Sequence, residues 1–252
     1  MTIRRNLLLL LMLMVMALPA QSQKTRDIVD IARSGGGGGD GGGDGLWILL
    51  DAADIFIDLF IWTGGAITEG HRQILEKDGY IPRIKSLEFS GQYSALPSEY
   101  SIAIPRIRAN WGLFSTDLRY YHQFESRLGD FSKYNTLDWQ FLMINIVTSE
   151  KVNFRLGTGI MSERVTGTTY NENTFNLDVY PTNRLKINAE GRFALNYGSG
   201  VIVRREWNAG AYYLLAKHKK KGFYGFGNFM HARFYEQIDI WALSAGLSMT
   251  IE

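Results

Sequence analysis

Three runs near the end of the chain, VIVRREWNAGAYY (201–213), FYGFGNFMHARF (223–234) and WALSAGLSMTI (241–251), decide the fold. In the first, one parity carries Val203, Trp207, Ala209, Ala211 and Tyr213, and the other Arg204, Glu206, Asn208 and Gly210. The second sets Tyr224, Phe226, Met230, Ala232 and Phe234 against Gly225, Gly227, His231 and Arg233. In the third, Trp241, Leu243, Ala245, Leu247, Met249 and Ile251 oppose Ala242, Ser244, Gly246, Ser248 and Thr250. Successive strand side chains point to opposite faces, so a two-residue period predicts a sheet whose faces meet different surroundings.

Upstream, the period continues. Candidate strands fall at 84–94, 100–110, 114–124, 135–147, 152–162, 173–180, 185–196, 201–215, 223–235 and 238–251. No stretch after Lys77 is long and helical enough to serve as a crossover, so the sheet is expected to be antiparallel and sequentially paired. Most of these runs reach the roughly 9 to 11 residues of a tilted membrane-spanning strand. Pro105 interrupts the second run and 173–180 is short, so the count stands at eight to ten. With periplasmic turns expected at 111–113, 148–151, 181–184 and 216–222, the two longest connections, 125–134 and 163–172, fall on the external side.

The N-terminus reads differently. Arg4 and Arg5 precede an apolar run of 12 residues, Leu7–Leu18, and Pro19–Ser22 supplies small residues before a cut near Ser22/Gln23. This predicts a secretory signal peptide over 1–22, because the run is well short of the ~20 residues a spanning helix needs. Loss of Arg4 and Arg5 takes the basic count from 27 to 25, equal to the 25 acids. A neutral exported chain is not expected to bind nucleic acid. With no cysteine, it holds its fold without disulfides.

Residues 23–45, including SGGGGGDGGGDG at 34–45, are expected to form a polar, glycine-rich flexible linker. An amphipathic helical segment is expected over 46–78. Within it Asp51, Asp54 and Asp58 lie three and four apart, one acidic stripe on an otherwise apolar helix. Three acids argue against a spanning helix and leave two readings, a helix in the membrane interface or one docked on the body or on an envelope protein through 46–66.

Together the leader, the absence of cysteine and the aromatic alternating strands running to the chain end resemble the small outer-membrane β-barrel proteins of Gram-negative bacteria. The resemblance covers 84–252 and is architectural. Such proteins often end on an aromatic residue, whereas this chain ends Met249-Thr250-Ile251-Glu252. The resemblance implies an all-β, antiparallel up-and-down transmembrane barrel over 79–252, with outer-membrane lipid as its surroundings.

Carried through the strands, polar parity places Arg106, Arg108, Asp117, Arg119, Asp138, Gln140, Arg155, Lys186, Asn188, Glu190, Arg192, Arg204, Glu206 and Arg233 in the lumen. Eight of these are basic and four acidic. Trp207, Tyr213, Phe226, Trp241, Leu243 and Leu247 are expected to face lipid. A barrel of this size is filled by side chains, which predicts an internal salt-bridge network, with a narrow anion path as the alternative. No catalytic, metal or cofactor site is expected, since His71, His122, His218 and His231 form no metal-spaced pair and have no neighbouring serine. Parity puts His231 in the lumen and His122 on the lipid face. Lys217-His218-Lys219-Lys220-Lys221 is expected to be a solvated turn or a contact for lipid phosphates or an acidic partner. The function these readings support is a structural, tethering or complex-forming envelope barrel. A soluble exported barrel holding a small apolar ligand and a lipid-modifying enzyme are the alternatives.

Overall fold

The computed structural model describes residues 24–35, 85–95, 100–127, 130–149 and 151–251. Among the described residues one helix, α1 (Lys24–Gly35), precedes ten strands. These are β1 (Lys85–Ala95), β2 (Tyr100–Trp111), β3 (Phe114–Arg127), β4 (Asp130–Thr148), β5 (Val152–Glu163), β6 (Thr169–Thr182), β7 (Leu185–Asn196), β8 (Val201–His218), β9 (Lys221–Phe234) and β10 (Ile238–Ile251). Every strand pairs antiparallel with its sequence neighbour. β1 closes on β10 with Leu87 opposite Ile251 and Tyr93 opposite Ala245. The sheet is therefore a closed up-and-down barrel without a free edge, the arrangement that satisfies every strand's ladder.

Pro105 is accommodated where the β2–β3 pairing breaks off between Ala103 and Arg106, so its missing donor costs no ladder bond there. β4 and β6 start earlier than expected. At least half of each of the stretches 125–134 and 163–172 is consequently strand, and the two long connections expected there shrink to 128–129 and 164–168. Their polar residues hid the alternation, yet Tyr134, Tyr170 and Glu172 point inward in step with the strands that follow. β1 begins and β10 ends at one mouth, together with the β2–β3, β4–β5, β6–β7 and β8–β9 turns; we call it the terminal mouth. The other five connections lie at the opposite, turn mouth.

Direct cross-strand partners share a face, and this corrects the expected phase of β9. Trp207 is outside and pairs with His231, while Tyr212 is inside and pairs with Phe226. The aromatic row Tyr224, Phe226, Met230 and Phe234 therefore fills the interior, and Gly225, Gly227, His231 and Arg233 lie outside. Glycine alternating with aromatic residues has no intrinsic inside; the neighbouring strands set it. A bulge opposite Ala194/Leu195 likewise turns both Val203 and Arg204 inward.

Residues 24–35, expected at the start of a flexible linker, form a helix that sits in the turn mouth. Thr25, Ile28 and Ala32, three and four apart, are its buried face. Ile28 packs among Tyr100, Ile102, Tyr121, Tyr134, Phe234 and Ile240. The Thr25 amide donates to Glu125 (2.9 Å), Gln123 donates to the Thr25 hydroxyl (2.8 Å), and Lys24 Nζ donates to the Asp239 carbonyl. Burial is the main cause holding the Lys24 ammonium pKa below its usual value, against Asp239 and Asp27, which raise it. The expected leader, the glycine run after 35 and the helical segment 46–78 with Asp51, Asp54 and Asp58 lie outside the described residues.

Gly159 faces the β-bulge of β4, where a Cβ would sit 2.1 Å from the Trp139 carbonyl oxygen and 2.6 Å from Gln140 Cα. Both neighbours are backbone and cannot step aside. Gly159→Ala is expected to destabilise the barrel by ~1–3 kcal/mol, read as a lower urea midpoint in the gel-mobility unfolding of the purified protein.

Candidate functional site

Below the apolar layer at the turn mouth, the lumen is crossed by ion pairs. Arg106, Arg108, Arg119, Arg192 and Arg204 meet Asp117, Asp138, Glu172, Glu190 and Glu206. Each of these arginines contacts at least two of the carboxylates. Alternation on β2, β3, β4, β6, β7 and β8 is what brings them to one level.

Arg119 reaches Asp138 from Nε (2.9 Å) and Nη2 (2.7 Å), and Glu206 from Nη1 (2.5 Å) and Nη2 (2.9 Å). Arg204 joins Asp138 (2.6 Å) to Glu172 (2.5 Å) and donates to Thr136 (3.0 Å). Arg192 links Glu190 (2.7 Å) and Glu172 (3.1 Å). Arg106 binds Asp117 and Glu190, the latter at 2.5 Å. β3 and β8 are five steps apart around the ten-strand ring, as are β2 and β7. Arg119–Glu206 and Arg106–Glu190 are therefore struts across the full width of the lumen. Between them, beside Arg106, Arg119 and Tyr212, remains a cavity of about 20 Å³, on the order of one water.

Toward the terminal mouth, Arg155 pairs with Asp178 (2.8 Å) and Lys186 with Glu88 (3.5 Å), with Lys186 Nζ 4.0 Å above the Tyr212 ring. The ion pairs so described join seven bases to seven acids, and buried Glu125 and Glu163 at the turn mouth add two more acids. This replaces the expected excess of eight bases over four acids. Arg233 leaves the set: its half-exposed side chain faces outward and donates to the Glu236 carbonyl (2.8 Å). Glu88, Glu172 and Asp178 enter it. Glu172 stood in a stretch read as loop, but Glu88 and Asp178 stood in expected strands, where the same parity marks them as inward.

The remaining predicted residues separate cleanly. Arg106, Arg108, Asp117, Arg119, Asp138, Arg155, Lys186, Glu190, Arg192, Arg204 and Glu206 face the lumen. Trp207, Tyr213, Trp241, Leu243 and Leu247 face outward. Phe226 does not: it is 8% exposed and stacks on Tyr212, ring centroids 4.4 Å apart, in the space that Gly246 leaves open.

His231 is outside rather than in the lumen, stacked on Trp241 (3.9 Å) with Nε2 3.0 Å from Asp239. His122, also outside, places Nδ1 against Asn135 Oδ1 (2.5 Å). Neither ring's hydrogen-bond partner is a serine. At the turn mouth Tyr235 and Glu236 adopt positive φ (52° and 57°), a conformation held by the Tyr235 amide on Val203 O (2.8 Å) and its hydroxyl on Glu163 (2.6 Å). Burial, then the Glu163 carboxylate, pushes the Tyr235 hydroxyl pKa well up.

No protein-family model and no curated protein sequence matches the chain. Among solved structures it is similar to the NanC porin (10% identity, 66% of this chain and 99% of that one, TM-score 0.37). The KdgM porin aligns at 10% identity over 66% and 98%, TM-score 0.32. The N-terminal β-barrel domain of Pseudomonas aeruginosa OprF aligns at 11% over 66% and 96%, TM-score 0.29. At these scores they add nothing to what the barrel's own geometry carries.

Arg204→Met removes the cation shared by Asp138 and Glu172, and the expected cost is ~3–5 kcal/mol in urea unfolding. Restoring neutrality with Glu172→Gln in the same chain is expected to recover part of it. Ile28→Asp sets a carboxylate among the Tyr100, Tyr121 and Phe234 rings. Limited trypsinolysis is expected to cut this variant within 24–33 while the barrel stays resistant.

Proposed function

We propose that this chain is an integral outer-membrane β-barrel with a closed lumen, serving as a structural, tethering or complex-forming component of the cell envelope. The observation that carries the reading is its reversed polarity. Arg192, Arg204, Asp138 and Glu206 are fully buried, whereas Leu247 is 68% exposed, Ile146 53% and Trp207 44%. Phe89, Ile107, Leu118, Leu137, Leu156 and Ile187 continue the apolar exterior around the sheet. Water on that surface would meet a belt far larger than the few hundred Å² a soluble monomer exposes, and lipid removes the cost. Strands of 11 to 19 residues exceed the spanning minimum.

A soluble carrier of apolar ligands needs an apolar cavity. Here the middle of the lumen is charged, and the apolar layer at the turn mouth is filled by Ile28. Struts across the full width of the lumen support a structural rather than a conducting role. Residues 46–66, with their acidic stripe, are the segment we assign to contact with an envelope partner. The outward histidines lack the serine neighbour a lipid hydrolase needs, which favours a non-enzymatic protein.

Fractionation with heat-modifiable gel mobility tests the membrane reading; recovery from the periplasm without detergent would sink it. In planar bilayers the wild type is expected to give no conductance steps. The double variant Arg119→Ala/Glu206→Ala, which removes one strut with both its charges, is expected to give small ones. Porin-sized steps from the wild type would refute the closed lumen.

A further inference from the structure

At the terminal mouth, positive charge gathers around a cavity of about 130 Å³, room for a group several waters in size. Lys151 from the β4–β5 turn, Arg184 from the β6–β7 turn and Lys186 of β7 line it, with the Tyr180 and Tyr224 side chains on its wall. Lys151 and Arg184 are exposed and have no ion-pair partner among the described residues. Lys186 is buried and already faces Glu88. Two of the three charges are thus uncompensated at the cavity.

The next hairpin adds to the field. The Leu214 amide donates to the Arg184 carbonyl (2.8 Å), which ties the end of β8 to this turn, and the exposed Lys217, Lys219, Lys220 and Lys221 follow. Lys219 holds φ at 51° to make the two-residue turn. The only acid in the sequence of these turns is Glu150, outside the described residues.

We infer that this mouth binds a phosphate group. A planar guanidinium and two ammonium groups from separate elements suit several anionic oxygens on one centre better than a single carboxylate. Two unpaired cations match the charge of about −1.5 to −2 that a phosphate monoester carries at neutral pH. Tyr180, Lys186 and Tyr224 have lumen-facing parity, so the cavity opens to the aqueous side of the mouth. The phosphate can come from free phosphate or a small phosphomonoester, or from a lipid headgroup leaning over the rim. Only the lipid source rests on the membrane reading above.

The test titrates inorganic phosphate into the purified full mature chain, in uncharged detergent at fixed ionic strength, by calorimetry. A second arm measures retention of phosphatidylglycerol against phosphatidylcholine by native mass spectrometry. Saturable phosphate binding identifies the free-phosphate source, and selective phosphatidylglycerol retention alone identifies the headgroup.

In either case Arg184→Gln is expected to weaken binding about tenfold and Lys151→Gln/Arg184→Gln further. Both variants change exposed side chains, and heat-modifiable mobility checks their fold. Lys219→Gln/Lys220→Gln is expected to change only the salt dependence. The proposal is overturned if neither arm shows binding, if the Lys151/Arg184 double variant binds like the wild type, or if the Lys219/Lys220 variant loses as much as the double variant does.

Discussion

The contact between five buried guanidinium groups and five buried carboxylates is the constraint on which the barrel depends. An unpaired ion in such surroundings costs several kcal/mol, so each residue of the lattice is tolerable only while its partners are in place. The partners come from six strands, among them strands on opposite sides of the lumen, so the lattice fixes the diameter of the barrel as well as its register. A shift of any one of these strands by a single residue would turn its charge outward and leave another unpaired. Removing one partner of such a pair is therefore costly, whereas replacing a whole pair by apolar groups of the same volume costs little.

The interior is layered along its axis. At the turn mouth an aromatic and aliphatic layer, Tyr100, Tyr121, Tyr134, Phe234 and Ile240, is completed by Ile28 of α1. The charge lattice lies below it, and a wetter vestibule with Arg155, Asp178, Lys186 and Glu88 opens at the terminal mouth. The helix thus covers the end of the lumen that is apolar, leaving the polar end to water. α1 and the start of β1 stand at opposite mouths.

Much of this was legible in the chain because charge fixes a strand's phase. Arg106/Arg108, Asp117/Arg119 and Lys186/Glu190/Arg192 recur at even spacing between apolar residues, and a closed sheet leaves them one side to share. β9 was not legible for the converse reason. Its aromatic row is neutral and its glycine row carries one charge, Arg233, at the strand end, so only pairing with Trp207 and Tyr212 on β8 decides that Phe226 goes in and Arg233 out. The polar starts of β4 and β6 read as loop, since their ladder bonds leave no mark on composition. The helix at Lys24–Gly35 was obscured by the glycine run behind it, although Ile28 and Ala32 stand four apart.

The sequence distance between charge partners bears on how such a barrel can be made. Arg119 and Glu206 are 87 residues apart, Arg106 and Glu190 84, and Arg204 and Asp138 66. The β2–β3 hairpin does not neutralise its own share of the lattice: it carries Arg106, Arg108 and Arg119 against Asp117 alone. A hairpin entering lipid alone would bring bare ions with it, so insertion one hairpin at a time is disfavoured. Because β1 pairs with β10, the last strand must also be present before the first is satisfied. In the membrane setting proposed above, the chain has to gather its strands around a common interior before or as it enters the bilayer, so that crossing the membrane and closing the cylinder become one event.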